Sequence, residues 1–159
     1  TIEEEILLAL RMDCPLKQKI AVISKDPSMN AYFLDLNRVC YITSDKNMMT
    51  DDESRPVNYN AMFVCSDGSR YFSNIELIDL ERLFADGGNP WFYRSHRQFI
   101  INIQKLRGAD TDQGRRDLWF EGLEDCLENG VTSTYLNGFI NHPFIIFKGL
   151  PEASSDEAK

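Results

Sequence analysis

A block of basic and polar side chains stands between two apolar runs in the segment from Trp91 to Asn102, WFYRSHRQFIIN in one-letter code. The apolar residues that can anchor this backbone in a core are Phe92, Phe99 and Ile101. Between them, Arg94, His96 and Arg97 cannot all be buried at an acceptable cost in free energy. We therefore expect at least some of these three side chains to face water or a ligand.

The hydrogen-bonding capacity of these side chains suggests what such a ligand could be. Arg97 offers a planar fork of N–H donors, which fits a guanine edge or a phosphate, and His96 can donate or accept at a base or backbone oxygen. Structural roles are also open. His96 could brace a turn by hydrogen bonding to a backbone carbonyl, and Arg94 could pair with a carboxylate. For Asn102 we expect hydrogen bonds to backbone groups rather than to bases.

The total charge of the chain argues against a polyanionic ligand. The formal net charge is −8, whereas proteins that neutralise phosphates normally present a basic surface. The stretch from Phe92 to Trp119, however, holds six basic residues and three acidic ones, and acidic residues cluster elsewhere, at 3–5, 51–53, 121–128 and 152–157. Because local charge decides where a polyanion can approach, this stretch remains a candidate surface for nucleic acid.

Several classes of protein are disfavoured by the sequence. No apolar run approaches the roughly 20 residues that a membrane-spanning helix needs, and no export signal opens the chain, so we expect a cytoplasmic protein without a membrane segment. The four cysteines stand singly, which predicts buried free thiols and neither a metal site nor a disulfide framework. Cys40, Cys65, His96 and several carboxylates are not grouped as in a known catalytic motif, so we expect neither an enzyme nor a cofactor.

Short runs of β-branched and aromatic residues predict a mainly β fold, with antiparallel sheets of short strands and a few short helices. The predicted strands are Lys19–Ser24, Ala31–Leu34, Val39–Thr43, Ala61–Cys65, Arg70–Phe72, Phe92–Tyr93, Phe99–Ile103 and Asp117–Phe120. Between the strands we expect a loop at 45–47, an exposed acidic connection at 48–59, and a hairpin turn at 66–69 that contains Asp67-Gly68.

Helical spacing of apolar residues occurs at three places. Residues 2–11 predict a short leading helix, and residues 75–84 an amphipathic helix that ends at Gly87-Gly88. Ser73 and Glu76 have the spacing of a capping box at its start. After Val131, apolar residues at 136, 139 and 140 predict a last helix.

The segment FYRSHRQFIIN closely resembles the core signature of LytTR domains, the β-rich DNA-binding domains of bacterial transcription regulators. The signature reads F-x-R-x-H-R-S, then an aromatic residue, two β-branched residues and Asn, after a helix. Upstream, Leu36–Ile42 looks like the family's first conserved strand. The resemblance covers roughly Lys19 to Phe147 and implies a domain at 19–148, with a helical lead at 1–18 and a flexible acidic tail at 149–159.

The resemblance implies that DNA is contacted by three loop clusters rather than by a recognition helix. The implied DNA-binding residues are Lys46 and Asn47 in the first cluster, Arg94, His96 and Arg97 in the second, and Ser133, Thr134 and Asn137 in the third. This chain departs from the family at Gln98, where a small hydroxyl residue is usual, and after Val131, where a basic residue is usual. Arg115 and Arg116 could supply that missing charge.

The implied partner is double-stranded promoter DNA with paired direct repeats, which two copies of the chain would occupy as a possible homodimer. The alternative is a LytTR-like scaffold that serves as a protein-interaction or regulatory module with weak affinity for DNA. The net charge and the missing basic residue near Ser133 favour that alternative, whereas the local basic excess and the His96-Arg97 pair favour DNA.

Overall fold

The computed structural model describes residues 19–23, 31–51, 53–110 and 116–145. Within these ranges the chain forms nine strands and two α-helices, which confirms the mainly β, antiparallel fold predicted from the sequence. The strands are β1 (Lys19–Val22), β2 (Tyr32–Asp35), β3 (Val39–Thr43), β4 (Ala61–Cys65), β5 (Arg70–Ser73), β6 (Phe92–His96), β7 (Phe99–Asn102), β8 (Leu106–Asp110) and β9 (Asp117–Phe120). The helices are α1 (Leu77–Asp86) and α2 (Ser133–Ile140).

A five-stranded antiparallel sheet in the order β5-β4-β3-β7-β6 forms the centre of the fold. Its middle pairing joins β3 to β7, with Tyr41 opposite Ile101 and Thr43 opposite Phe99. Strands β1 and β2 form one two-stranded ribbon, and β8 and β9 form another. Because β3 ends where β7 begins, the loop after β3 and the turn between β6 and β7 lie at the same end of the sheet.

The connection between β3 and β4 is partly core, so the prediction of an exposed segment at 48–59 was wrong in part. Met49 is fully buried and packs in a second apolar cluster with Met62, Val64 and Phe72. The ring of Tyr59 stacks on Phe72 with 5.1 Å between the ring centroids. All five residues of β4 are buried as a result, because this connection covers the face of the sheet that the main core does not.

Helix α1 begins later than the spacing of Ser73 and Glu76 predicts, and the capping box was wrong. Ser73 is the last residue of β5 and pairs with Ala61, so it is held in the sheet, and its Oγ accepts from the Ile75 amide at 3.0 Å. Glu76 is the N-cap and makes no capping hydrogen bond with its side chain. The helix ends at Gly87-Gly88 as predicted, and Gly88 has a positive φ of 73°.

Asn102 is fully buried at the end of β7 and satisfies backbone groups, as expected from the sequence. Its Nδ2 donates to the carbonyl oxygen of Val39 at 2.9 Å, and its Oδ1 accepts from the amide of Gln104 at 3.1 Å. The first bond joins β7 to the start of β3, and the second begins the 3-10 turn Ile103–Lys105. Asn102 therefore holds the middle of the sheet together from inside the core.

The predicted hairpin turn at 66–69 is confirmed, and the predicted burial of the thiols is confirmed for Cys40 and Cys65 but not for Cys126, while Cys14 lies outside the described residues. Gly68 adopts a φ of 84° between β4 and β5, a conformation that favours glycine. Cys40 and Cys65 are fully buried, and Cys126 is half-buried. Among the described residues, no group of three His, Cys, Asp or Glu side chains could hold a metal ion, and no helix is long and apolar enough to cross a membrane.

Some predictions concern residues outside the described ranges. They are the helical lead at 1–18, the tail at 149–159 and the DNA-binding role of Arg115.

We expect Asn102→Ala to destabilise the fold by about 1–3 kcal/mol, because it removes a buried donor and acceptor and leaves backbone groups without their partners. Urea unfolding followed by circular dichroism measures the change. The control is Asn74→Ala, which truncates an exposed amide side chain and should stay within about 0.5 kcal/mol of the wild type. Equal stability of the two variants would show that Asn102 has no special role in the sheet.

Candidate nucleic-acid interface

The hairpin of β6 and β7 carries the second predicted cluster at its turn. Strand β6 extends to His96, so the polar segment expected at 94–98 is shorter than predicted, and only Arg97 and Gln98 form the turn. The reason is Ser95, which is fully buried and whose Oγ donates to the carbonyl oxygen of Gly130 at 2.6 Å. The strand pairing shifts register between Arg94 and His96. This bulge lets the two side chains flank a buried serine.

Arg94 lies against the turn rather than in open solvent, with 13% of its side chain exposed. Its Nε donates to the carbonyl oxygen of His96 at 2.9 Å, and its Nη2 donates to the carbonyl oxygen of Arg97. Its Nη1 lies 3.2 Å from Oε1 of Glu81 on α1. The guanidinium thus joins the turn to the helix, and the carboxylate pairing expected for Arg94 is present.

His96 braces the turn, although through a backbone amide and not through the carbonyl that the sequence suggested. Its Nδ1 accepts from the amide of Gln98 at 2.9 Å, so in the neutral ring the proton is on Nε2. Partial burial lowers the pKa of His96, the positive charge of Arg97 lowers it further, and Asp45 opposes the shift. The neutral ring can therefore still donate one hydrogen bond from Nε2 to an outside acceptor.

Arg97 is exposed at the turn. Within the described part of the chain, no hydrogen bond or ion pair engages its guanidinium, whereas its backbone carbonyl accepts from Arg94. All donors of the Arg97 fork are therefore available to a ligand.

The first predicted cluster lies directly beside this turn. The amide of Ser44 donates to the carbonyl oxygen of Gln98 at 3.0 Å, which ties the loop after β3 to the hairpin. Lys46 and Asn47 are exposed on that loop, as predicted. The Nζ of Lys46 donates to Oδ1 of Asn58 at 3.0 Å and to the carbonyl oxygen of Tyr59. The ammonium group is therefore held at the loop surface by the returning connection to β4.

Three basic side chains from separate elements meet around one concavity of about 320 Å³. Lys46 comes from the loop after β3, Arg94 from β6, and Arg97 from the turn. The concavity is also lined by Leu77 and Ile78 at the start of α1 and by the N-cap Glu76, its acidic member. A cavity with three cations and one carboxylate suits an anion such as a phosphate group.

The third predicted cluster lies on the other flank of β6. The amide of Thr132 donates to the carbonyl oxygen of Ser95 at 3.0 Å, so α2 begins beside the hairpin. Ser133, Thr134 and Asn137 are exposed in the first turns of this helix. Nη1 of Arg116 donates to Oγ of Ser133 at 3.1 Å. Arg116 therefore does bring a positive charge to the segment that lacks its own basic residue.

The partners that hold the predicted side chains could not be found from the sequence. Glu81 precedes Arg94 by 13 residues and lies on a different element, and Asn58 is separated from Lys46 by 12 residues. An acidic residue on an amphipathic helix ordinarily indicates a solvated face, so its position alone gives no signal of this contact.

Comparison with known proteins finds a match in structure only. No protein-family model matches the sequence, and no curated protein matches it. Among solved structures, the chain is similar to the LytTr DNA-binding domain of a protein from Bacillus cereus that is described as a methyl-accepting/DNA response regulator. The two share 16% sequence identity and superpose with a TM-score of 0.57 over 78% of this chain and 94% of the other. The chain therefore has the fold of a LytTR DNA-binding domain.

Proposed function

We propose that this chain is a sequence-specific DNA-binding domain of a transcription regulator of the LytTR type, which contacts duplex DNA through the loop clusters at one end of its sheet. The observation that carries the proposal is the meeting of Lys46 and Arg97 around one concavity at that end, with Arg94 in its wall. Lys46 is far from Arg97 in sequence, and the fold brings the two residues together where a phosphate could sit.

The distribution of acidic residues is compatible with this proposal despite the net charge of −8. The acidic loop at 121–128 begins at the opposite end of the sheet, where Gly122 packs against the carbonyl of Ser66 at the β4–β5 hairpin, and its later part runs back along β9, where Leu127 pairs with Leu118. The acidic connection after β3 is partly neutralised, because Arg55 pairs with Asp51 at 2.9 Å and with Glu53 at 3.2 Å. DNA at the Arg97 end would therefore approach mainly basic groups.

Each cluster would then have its own role. Arg97 presents an unengaged fork for a base edge, Lys46 offers a charge to a phosphate, and Asn47 offers an amide to a base. His96 can donate from Nε2. On the other flank, the groups available to a neighbouring phosphate or base are Ser133, Thr134, Asn137 and Arg116, with Arg115 as a further candidate.

The finer features come from the resemblance and belong to the same proposal. They are promoter DNA with direct repeats, two copies side by side on that DNA, a bacterial cytoplasmic setting, and the absence of catalysis.

A second function, as a protein-interaction module with weak affinity for DNA, is favoured by the acidic loop at 121–128. Glu121, Glu124, Asp125 and Glu128 are exposed or half-buried there on one loop. Such a surface suits a basic partner. The salt titration below separates the two functions, because only the first requires release of counterions from DNA.

We expect the domain to bind direct-repeat promoter DNA tightly in dilute buffer and much more weakly at physiological salt. Each phosphate neutralised by a basic side chain releases counterions, and screening shortens the range of the basic end to about 8–10 Å. Fluorescence anisotropy over a salt series measures the slope of the logarithm of DNA affinity against the logarithm of salt concentration. No binding in dilute buffer, or binding that salt does not change, would contradict the proposed function.

Lys46→Ala and Asn47→Ala should have different effects on DNA binding. The lysine variant should weaken every duplex alike and lower the salt slope by about one, because a phosphate contact carries no sequence information. The asparagine variant should instead relax preference at one base pair. Anisotropy with a panel of single-base substitutions measures both. If Lys46→Ala leaves the affinity for all duplexes unchanged, this loop is not in the interface.

Arg97→Ala should leave stability within about 0.5 kcal/mol, because its side chain is exposed and, among the described residues, makes no hydrogen bond or ion pair. Its loss should cost about 1–3 kcal/mol of DNA affinity on the preferred site and less on random DNA, as for a bidentate base contact. Thermal melting and anisotropy on both duplexes test this.

The matched control is Arg82→Ala, which removes the same charge from the exposed face of α1 outside the concavity. An Arg97 variant that melts early would indicate a structural role. A stable variant with full affinity would remove the turn from the interface.

A further inference from the structure

The guanidinium of Arg94 is engaged by backbone groups of the turn, which a direct contact with DNA would not require. Its guanidinium donates to the carbonyl oxygens of both His96 and Arg97, and only 13% of its side chain is exposed. Both accepting groups belong to the backbone of the hairpin end, so the bonds hold the turn and with it the point from which the Arg97 side chain projects.

The other side of the guanidinium is fixed as well. Nη1 of Arg94 pairs with Oε1 of Glu81 at 3.2 Å, and Glu81 lies on α1, which is held to the core by Leu77, Leu80 and Phe84. Phe84 stacks on Phe92 at the start of β6 with 4.4 Å between ring centroids. The helix and the strand are therefore packed against each other through these rings, and the ion pair links the helix to the turn.

We propose that Arg94 and Glu81 are positioning residues, which act on DNA only through the turn and set the orientation of Arg97. This inference rests on the proposed function. It assigns to Arg94 a role different from the direct DNA contact that the sequence resemblance implies, and it gives a role in binding to an acidic side chain.

The proposal reverses the expected direction of the change in DNA affinity for one substitution, Glu81→Gln. Simple electrostatics predicts that Glu81→Gln strengthens DNA binding, because it removes a negative charge close to the basic concavity. A positioning role predicts the opposite, because the neutral amide holds Arg94 less firmly and the turn loses its support from α1. The control is Glu76→Gln, which removes the same charge from the wall of the concavity, where Glu76 makes no ion pair among the described residues.

The experiment measures the dissociation constants of wild type, Glu81→Gln, Glu76→Gln, Arg94→Lys and Arg94→Gln for the preferred duplex in dilute buffer. We expect Glu81→Gln to weaken binding about threefold or more and Glu76→Gln to strengthen it. Arg94→Lys should weaken binding nearly as much as Arg94→Gln, since a single ammonium cannot hold two carbonyls and a carboxylate in the fork geometry.

A double-mutant cycle with Arg97→Ala decides whether Arg94 acts through Arg97. In the Arg97→Ala background, Arg94→Gln and Glu81→Gln should change the affinity by less than about twofold. Hydrogen exchange gives a readout without DNA, because the amide of Gln98, which donates to His96, should exchange faster in Glu81→Gln.

The outcomes separate this inference from the proposed function. Additive losses for Arg94 and Arg97, retention of affinity in Arg94→Lys, or tighter binding by Glu81→Gln would overturn the positioning role while leaving DNA binding intact. A wild-type chain that binds no duplex overturns the proposed function and this inference with it, even if the exchange of the Gln98 amide responds to Glu81→Gln.

Discussion

The pairing of β3 with β7 is the contact on which the rest of the structure depends. It joins segments separated by nearly sixty residues, with Tyr41 opposite Ile101, and Asn102 reinforces it through its bond to Val39. Because the two strands are antiparallel neighbours, the end of one lies beside the beginning of the other. Every candidate ligand-binding group at the Arg97 end owes its position to this register, since a shift by one residue would turn the side chains to the other face.

The separation of basic from acidic groups on the surface of the molecule follows from the same arrangement. At one end of the sheet, the loop after β3 carries Lys46 and the β6–β7 turn carries Arg97. At the other end, the β4–β5 turn lies against Gly122, near the start of the acidic loop at 121–128. A net charge of −8 is therefore compatible with a basic surface. The acidic residues need not weaken an encounter with a polyanion if it approaches the basic end, because screening limits their reach to about one Debye length.

The fold was largely predictable from the sequence, whereas the internal support of the site was not. Runs of β-branched and aromatic residues identified β3 and β4, turn residues identified the Asp67-Gly68 hairpin, and the anchors Phe92 and Phe99 are buried as expected. The exposed positions of Lys46 and Arg97 were also predicted. The contact of Arg94 with Glu81 was not, because it joins a strand to a helix through tertiary packing, which local patterns do not record. The burial of Met49 was missed for the same reason.

The three clusters of the candidate interface come from residues near 46, 97 and 133, so most of the described chain must be in place before they can meet. Such an interface has high contact order. The entropy cost of closing the long loops arises before the contacts that stabilise the interface have formed. Folding is therefore expected to be slow compared with that of a helical DNA-binding module, and a nascent chain is unable to form the full surface until α2 has been synthesised. Under the proposed function, a chain without α2 would lack the third cluster and could contact DNA only in part.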